Sequence, residues 1–127
     1  MSTLKVNTLI EATAGGATFY TPKAWVNFNG TGTVAIRADG NVSSISDLGT
    51  GKYQISFSSN MADANYAPTG AASKTDGNND GNQHCQCNGY NNGSSSPNTT
   101  SSTRVVTPYT AGGGAADVGV VTLNVIR

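Results

Sequence analysis

The feature that most constrains the fold of this chain is a two-residue alternation of apolar and polar side chains in short runs. In "KYQISFSS", Tyr53, Ile55 and Phe57 fall on one face, and polar residues fall on the other. Because successive side chains of a β-strand point to opposite faces, the run indicates a strand with one face in a core. Helix-forming Leu, Glu, Lys and Arg are sparse, and glycine occurs 16 times. The pattern predicts an all-β chain.

Similar runs recur on both sides of this strand. The further predicted strands are "AWVNFNG" with Val26 and Phe28 on one face, "TVAIRA" with Val34 and Ile36, "NVSSI", "RVVTPYT", and "ADVGVVTLNVIR" with Val121, Leu123 and Val125 on one face. The last run is the longest predicted strand. Pro108 makes "RVVTPYT" an edge strand or a broken strand, because proline has no amide to donate to a ladder. Asp39-Gly40 and "DLGTGK" supply turns. We therefore predict an antiparallel, jelly-roll-like β-sandwich.

The N-terminal region is different. Leu4, Val6 and Ile10 alternate only weakly before a Gly-Gly pair, and an isolated strand cannot bury its apolar face alone. This region is either an extra edge strand of the sandwich or an extended arm that packs on copies of itself or on another protein. We favour the arm, with residues 1–23 as an attachment arm or stem and residues 24–127 as a β-sandwich head carrying a polar loop over residues 76–103.

The polar loop holds the single histidine and both cysteines of the chain, in "QHCQC". Thiolates and imidazole are zinc ligands, but a structural zinc site needs four ligands and no second pair exists here. In a strand, Cys85 and Cys87 would point to one side and His84 to the other. The alternatives are packed thiols, a disulfide, or a metal gathered around a trimer axis. We favour ordinary thiols, either in a plain loop or packed, and predict no metal or cofactor.

The remaining sequence signs of metal binding or catalysis are weak. "DGNNDG", from Asp76, matches the first half of a calcium-binding EF-hand loop, but position twelve is Cys87 where the site requires glutamate. Turns formed by Asn and Asp side chains explain the motif equally well. The single histidine lies in the loop and no G-x-S-x-G motif occurs, so we predict that the protein is not an enzyme.

Charge is low and balanced, with seven basic and seven acidic residues, or 11% of the chain. This is about half the usual fraction. A nucleic-acid-binding surface needs clustered cations, so the balance argues against nucleic acid. No apolar run reaches membrane-spanning length, and the N-terminus lacks the apolar core of a signal peptide. We expect a soluble protein, made in a cytoplasm and not inserted in a membrane.

Binding is the function that the loop composition favours. Asn and Gln side chains both donate and accept hydrogen bonds, which suits sugar hydroxyls, and Tyr90 adds a rigid aromatic face. Long irregular loops in compact domains are uncommon unless they are functional or disordered. The alternative is a solvated loop without a ligand. The predicted contact set is His84, Gln86, Asn88, Tyr90, Asn91 and Asn92.

Part of the chain resembles a known family. Residues 23–67, with "KAWVNFNGTGTVAIR", "GNVSSISDLGTGKY" and "MADANYA", are similar to a segment recurrent in tail-fibre and related structural proteins of tailed bacteriophages. The opening "STLKVNTLIEATAG" looks like the N-terminal lead of such proteins in phages of cyanobacteria and other marine bacteria. The closing "DVGVVTLNVIR" resembles the last strand of the same module.

The resemblance implies a virion component synthesised in the bacterial cytoplasm, an adhesin-type module that forms a homotrimer. Its arm would contact other virion structural proteins, and its head would bind a host surface glycan. Some fibre families hold an axial metal with an H-x-H pattern, whereas this chain has "HCQC". One alternative is a capsid fibre, decoration or neck protein that contacts only virion proteins. Another is a polysaccharide hydrolase using Asp76 and Asp80.

Overall fold

The computed structural model describes residues 20–74, 84–87, 97–109 and 114–127. These ranges contain ten strands and no helix. The strands are β1 (Pro22–Asn29), β2 (Ala35–Gly40), β3 (Val42–Asp47), β4 (Lys52–Phe57), β5 (Ala67–Ser73), β6 (Gln86–Cys87), β7 (Ser102–Val106), β8 (Pro108–Tyr109), β9 (Gly114–Ala115) and β10 (Val120–Ile126). Residues 1–19 of the predicted arm and most of the predicted loop lie outside these ranges.

Two four-stranded sheets form the fold. The first has the order β2-β1-β10-β5 and the second β3-β4-β7-β6, and all pairings are antiparallel. Strands β8 and β9 make a separate short pair. The predicted antiparallel β-sandwich is confirmed. Within the described ranges, no helix is long and apolar enough to cross a membrane.

The core lies between the two sheets and follows the alternation of the sequence. Tyr53, Ile55 and Phe57 are buried as predicted. The ring of Phe28 meets that of Tyr53 edge-to-face at 5.1 Å. The remaining buried apolar residues are Ala24, Val26, Val42, Met61, Tyr66, Val105, Val118, Val121, Leu123 and Val125. Each large side chain contributes about 1.5–3 kcal/mol by leaving water, so this layer holds the sheets together.

The chain passes from the first sheet to the second at Asn41, the single residue between β2 and β3. Asn41 has φ 59°, a left-handed conformation that Asn tolerates better than most residues. Its side-chain amide donates to the carbonyls of Lys23 and Ser59, and its Oδ1 accepts from the Ser59 amide at 2.7 Å. The corner therefore ties the start of β1 to the segment after β4.

A partly buried polar network lies at the opposite end of the sandwich. One carboxylate oxygen of Asp117 accepts from the Gly51 amide at 2.6 Å and lies 3.2 Å from the Tyr53 hydroxyl. That hydroxyl also lies 2.8 Å from the Gly30 carbonyl oxygen. The buried Thr107 amide donates to the Gly51 carbonyl. These bonds satisfy backbone groups that would otherwise be buried without partners.

The structure differs from the sequence predictions in three places. Strand β5 was not predicted, because "APTGAAS" has neither β-branched alternation nor aromatic residues. The longest strand is β1, with eight residues, and not β10, which has seven. Val34 packs against the core, but Ile36 is exposed, since β2 is the edge of its sheet. The strand containing Pro108 is broken as predicted, with Thr107 between β7 and β8.

Candidate functional site

The described part of the predicted site is the edge strand β6. It is the outermost strand of the second sheet, and Gln86 and Cys87 pair with Val106 and Val105 of β7. His84 and Gln86 are exposed, whereas Cys85 and Cys87 are partly buried and pack against the core. Burial alternates along residues 84–87, so both thiols lie on the side that packs against the core, and His84 lies on the opposite side from them, as predicted for a strand.

Cys85 spans the gap between the edges of the two sheets. It lies against Gly70 of β5, the edge strand of the first sheet. A Cβ atom added to Gly70 would lie 2.8 Å from the Cys85 sulfur, so the close approach depends on the missing side chain. This contact fixes β6, and with it His84 and Gln86, against the body of the fold.

Cys85 and Cys87 are free thiols whose pKa values depend on each other. The hydrogen bond to Cys87, together with burial, raises the pKa of Cys85. The same hydrogen bond, donated by Cys85, lowers the pKa of Cys87. Among the residues with described positions, no three His, Cys, Asp or Glu side chains converge as a metal-ligand set.

The predicted contact set is only partly described. His84, two residues before Gln86, and Gln86, the first residue of β6, are both exposed. The other four, Asn88, Tyr90, Asn91 and Asn92, lie outside the described residues, as do Asp76 and Asp80. The contact set therefore stays a prediction, with two of its members exposed in and just before β6.

The sequence reasoning missed a groove at the end of the sandwich where β1 begins and β10 ends. Its volume is about 310 Å³, and it is lined by Lys23, Asn41, Asn60, Met61, Ala62 and Arg127. These residues come from four separate segments, so no local motif reveals them. One available signal was the polar run "SSNMADA" after a strand, in which the apolar Met61 is buried.

An exposed tryptophan lies on β1, close in sequence to this groove. Trp25 is 42% exposed, although it is the largest apolar side chain of the chain. Its indole covers Gly40 of β2, where an added Cβ would lie 2.3 Å from the indole nitrogen. Trp25 therefore presents an aromatic face on the outer side of the first sheet.

Comparison of the chain with protein-family models, with curated proteins and with solved structures found no match. The resemblance to phage tail-fibre proteins therefore stays a prediction from sequence motifs.

Proposed function

We propose that the protein is a tail-fibre or adhesin module of a tailed-phage virion that binds a host cell-surface polysaccharide without chemical conversion. The observation that carries the proposal is the exposure of His84 and Gln86 in and just before the edge strand β6, while Cys85 and Cys87 pack against the core. The sequence continues from β6 into the amide-rich segment containing Tyr90.

An anchored edge strand suits recognition of a polysaccharide. Holding contact groups in place before binding reduces the entropy lost on association. Uncharged amides exchange hydrogen bonds with water for hydrogen bonds with sugar hydroxyls, so each contact is weak. In a virion carrying many copies, weak contacts add up to stable attachment. The low charge of the chain fits a partner recognised by hydrogen bonds and stacking.

The test is adsorption of phage particles carrying variants of this protein to host cells. We expect Gln86→Ala and Tyr90→Ala to lower adsorption by about tenfold while particle yield stays unchanged. Ser44→Ala is the matched control, because Ser44 is an exposed polar residue on β3, the other edge of the same sheet. Normal adsorption of both Gln86→Ala and Tyr90→Ala particles would contradict the proposal.

Removal of residues 88–96 separates this function from a purely structural role. Intact particles that no longer adsorb support an adhesin, whereas failure to assemble particles supports a capsid fibre, decoration or neck protein. A polysaccharide depolymerisation assay tests the absence of a reaction. Activity that disappears in Asp76→Asn or Asp80→Asn would show a hydrolase and overturn the proposal.

A further inference from the structure

The groove lined by Lys23, Asn60 and Arg127 lies at the far edge and end of the sandwich from β6. It borders the corner at Asn41, where the edge strands β2 and β3 meet, whereas β6 lies beside β5 at the other edge. Its volume of about 310 Å³ is at the lower limit of small-molecule sites. The groove therefore accommodates a ligand of about one sugar ring.

Hydrogen bonds hold one wall of the groove, residues 60–62, in place from both sides. The Met61 amide donates to the Thr100 carbonyl at 2.7 Å, and Ser59, which precedes residue 60, donates its amide to the Asn41 side chain. The Met61 side chain is buried. The wall is thus formed before any ligand arrives, which favours selective binding.

The groove carries two cationic side chains and one neighbouring counter-charge. Arg127 forms a two-point ion pair with Asp63, through its Nε at 3.2 Å and through one terminal nitrogen. The Asn65 amide and Arg127 hold the pKa of the Asp63 carboxyl below its ordinary value, so this pair stays charged. Lys23 is exposed and has no ion-pair partner among the described residues.

We propose that this groove binds a carboxylate-bearing sugar unit, such as a uronic acid of an acidic polysaccharide. The Lys23 ammonium would meet the carboxylate, and the Asn60 amide would contact the ring hydroxyls. Trp25, exposed on β1 two residues after Lys23, would offer a stacking face for the adjoining sugar. The carboxylate preference rests on the groove alone, and the assignment to a polysaccharide rests on the proposed function.

The test is an NMR titration of the full-length protein with D-glucuronate, D-glucose and acetate as probes. We expect glucuronate to shift the backbone amide signals of residues 23, 41, 60–62 and 127, and to bind more tightly than either other probe. If glucose binds as tightly as glucuronate, the carboxylate contributes nothing to binding. If acetate binds as tightly, the sugar ring contributes nothing. Shifts confined to other residues would show that the ligand does not bind in this groove. Each of these outcomes, like no binding at all, overturns the inference.

Lys23→Gln is the decisive variant. It removes one charge without disturbing a described side-chain contact, so its thermal unfolding should match that of the wild type. We expect its affinity for glucuronate to fall about tenfold. Lys74→Gln, which removes the same charge outside the groove, is the control and should bind as the wild type does. Unchanged affinity of Lys23→Gln overturns the inference.

The two proposals fail in distinguishable ways. Gln86→Ala should leave the glucuronate titration unchanged, because β6 lies at the other edge of the sandwich. Normal adsorption of the β6 variants alongside specific glucuronate binding contradicts the adhesin proposal and supports the groove. If those variants lose adsorption and the wild-type protein does not bind glucuronate, the adhesin proposal is supported and the groove inference is contradicted.

Discussion

At the scale of single residues, Tyr53 links the apolar core to the polar network at the end of the sandwich. Its ring packs edge-to-face on Phe28, and its hydroxyl lies between the Gly30 carbonyl and the Asp117 carboxylate. Gly30 allows this approach, because an added Cβ would lie 2.5 Å from the hydroxyl oxygen. Such a residue adds both packing energy and directional bonds to the fold.

We expect Tyr53→Phe to lower the free energy of unfolding by about 1–3 kcal/mol, because it leaves the buried Gly30 carbonyl without its donor. Denaturant unfolding followed by fluorescence or circular dichroism measures this change. Tyr20→Phe is the control, since Tyr20 is 70% exposed. An equal effect of the two substitutions would show that the network contributes nothing to stability.

Tyr53 also predicts a loss of stability at alkaline pH. Burial and the nearby Asp117 carboxylate raise the pKa of Tyr53 above its ordinary value of 10.0. The folded state thus favours the neutral phenol, and this contribution is complete below pH 10.0. As pH rises further, the tyrosine ionises in the unfolded state but not in the folded state, so the free energy of unfolding decreases.

We expect the thermal midpoint of the wild type to fall more steeply between about pH 9 and about pH 11 than that of Tyr53→Phe. Burial also raises the pKa of Tyr66, and Tyr66 is present in both proteins, so the difference isolates Tyr53. Parallel pH profiles would contradict the expectation.

The thiol pair gives a third residue-scale prediction. Because the hydrogen bond lowers the pKa of Cys87 and raises that of Cys85, Cys87 supplies the thiolate, which is the reactive species. We expect iodoacetamide at neutral pH to modify Cys87 first, as followed by peptide mass spectrometry. In Cys85→Ala, the modification of Cys87 should slow down. Faster modification of Cys85 in the wild type would reverse this assignment.

At the scale of elements, β5 is the strand that depends most on its surroundings. It pairs with β10 over seven consecutive positions without a register shift, and its small residues allow β6 to approach. A Cβ on Gly70 would lie 2.6 Å from the Thr122 carbonyl oxygen and 2.8 Å from the Cys85 sulfur. The backbone contact cannot be relieved by rotating a side chain, so one of the two strands must move.

We expect Gly70→Ala to lower the free energy of unfolding by about 1–3 kcal/mol, the usual cost of overpacking. Gly114→Ala is the matched control, because a Cβ there meets no atom within 4 Å. Chemical unfolding of both variants measures the difference. Equal stability of the two would mean that β5 and β6 are not held as closely as the contact implies.

At the scale of the whole molecule, the apolar residues of the N-terminal region favour assembly with other chains. Leu4, Val6 and Ile10 make an apolar alternation before the sandwich, and a lone strand cannot remove it from water. A homotrimer that buries three such segments together is the assembly implied by the resemblance to tail fibres. Symmetric assembly of this kind brings identical surfaces together around one axis.

We expect the purified full-length chain to have three times the monomer mass of 12.9 kDa in sedimentation equilibrium or native mass spectrometry. Removal of residues 1–19 should give a folded monomer, because the described sandwich has its own core. A monomeric full-length chain would contradict the trimer. A trimer that persists without residues 1–19 would show that the trimer interface lies in the head.

The local pattern predicted most of the fold and a small part of the site. Alternation in β1, β4 and β10 identified which side chains are buried, because successive side chains of a strand point to opposite faces. The same rule placed Cys85 and Cys87 on one side and His84 on the other, which agrees with their burial at β6. It failed for Ile36, because the alternation does not reveal that β2 is an edge strand.

The sequence by itself determined the all-strand character and most of the buried faces, since each depends on residues close along the chain. Only the tertiary structure decided that "APTGAAS" is a strand, that Gly70 meets Cys85, and that Lys23, Asn60 and Arg127 share a groove. These features depend on which distant segments become neighbours when the sheets stack. Burial of the whole core drives that arrangement, and no single stretch of sequence encodes it.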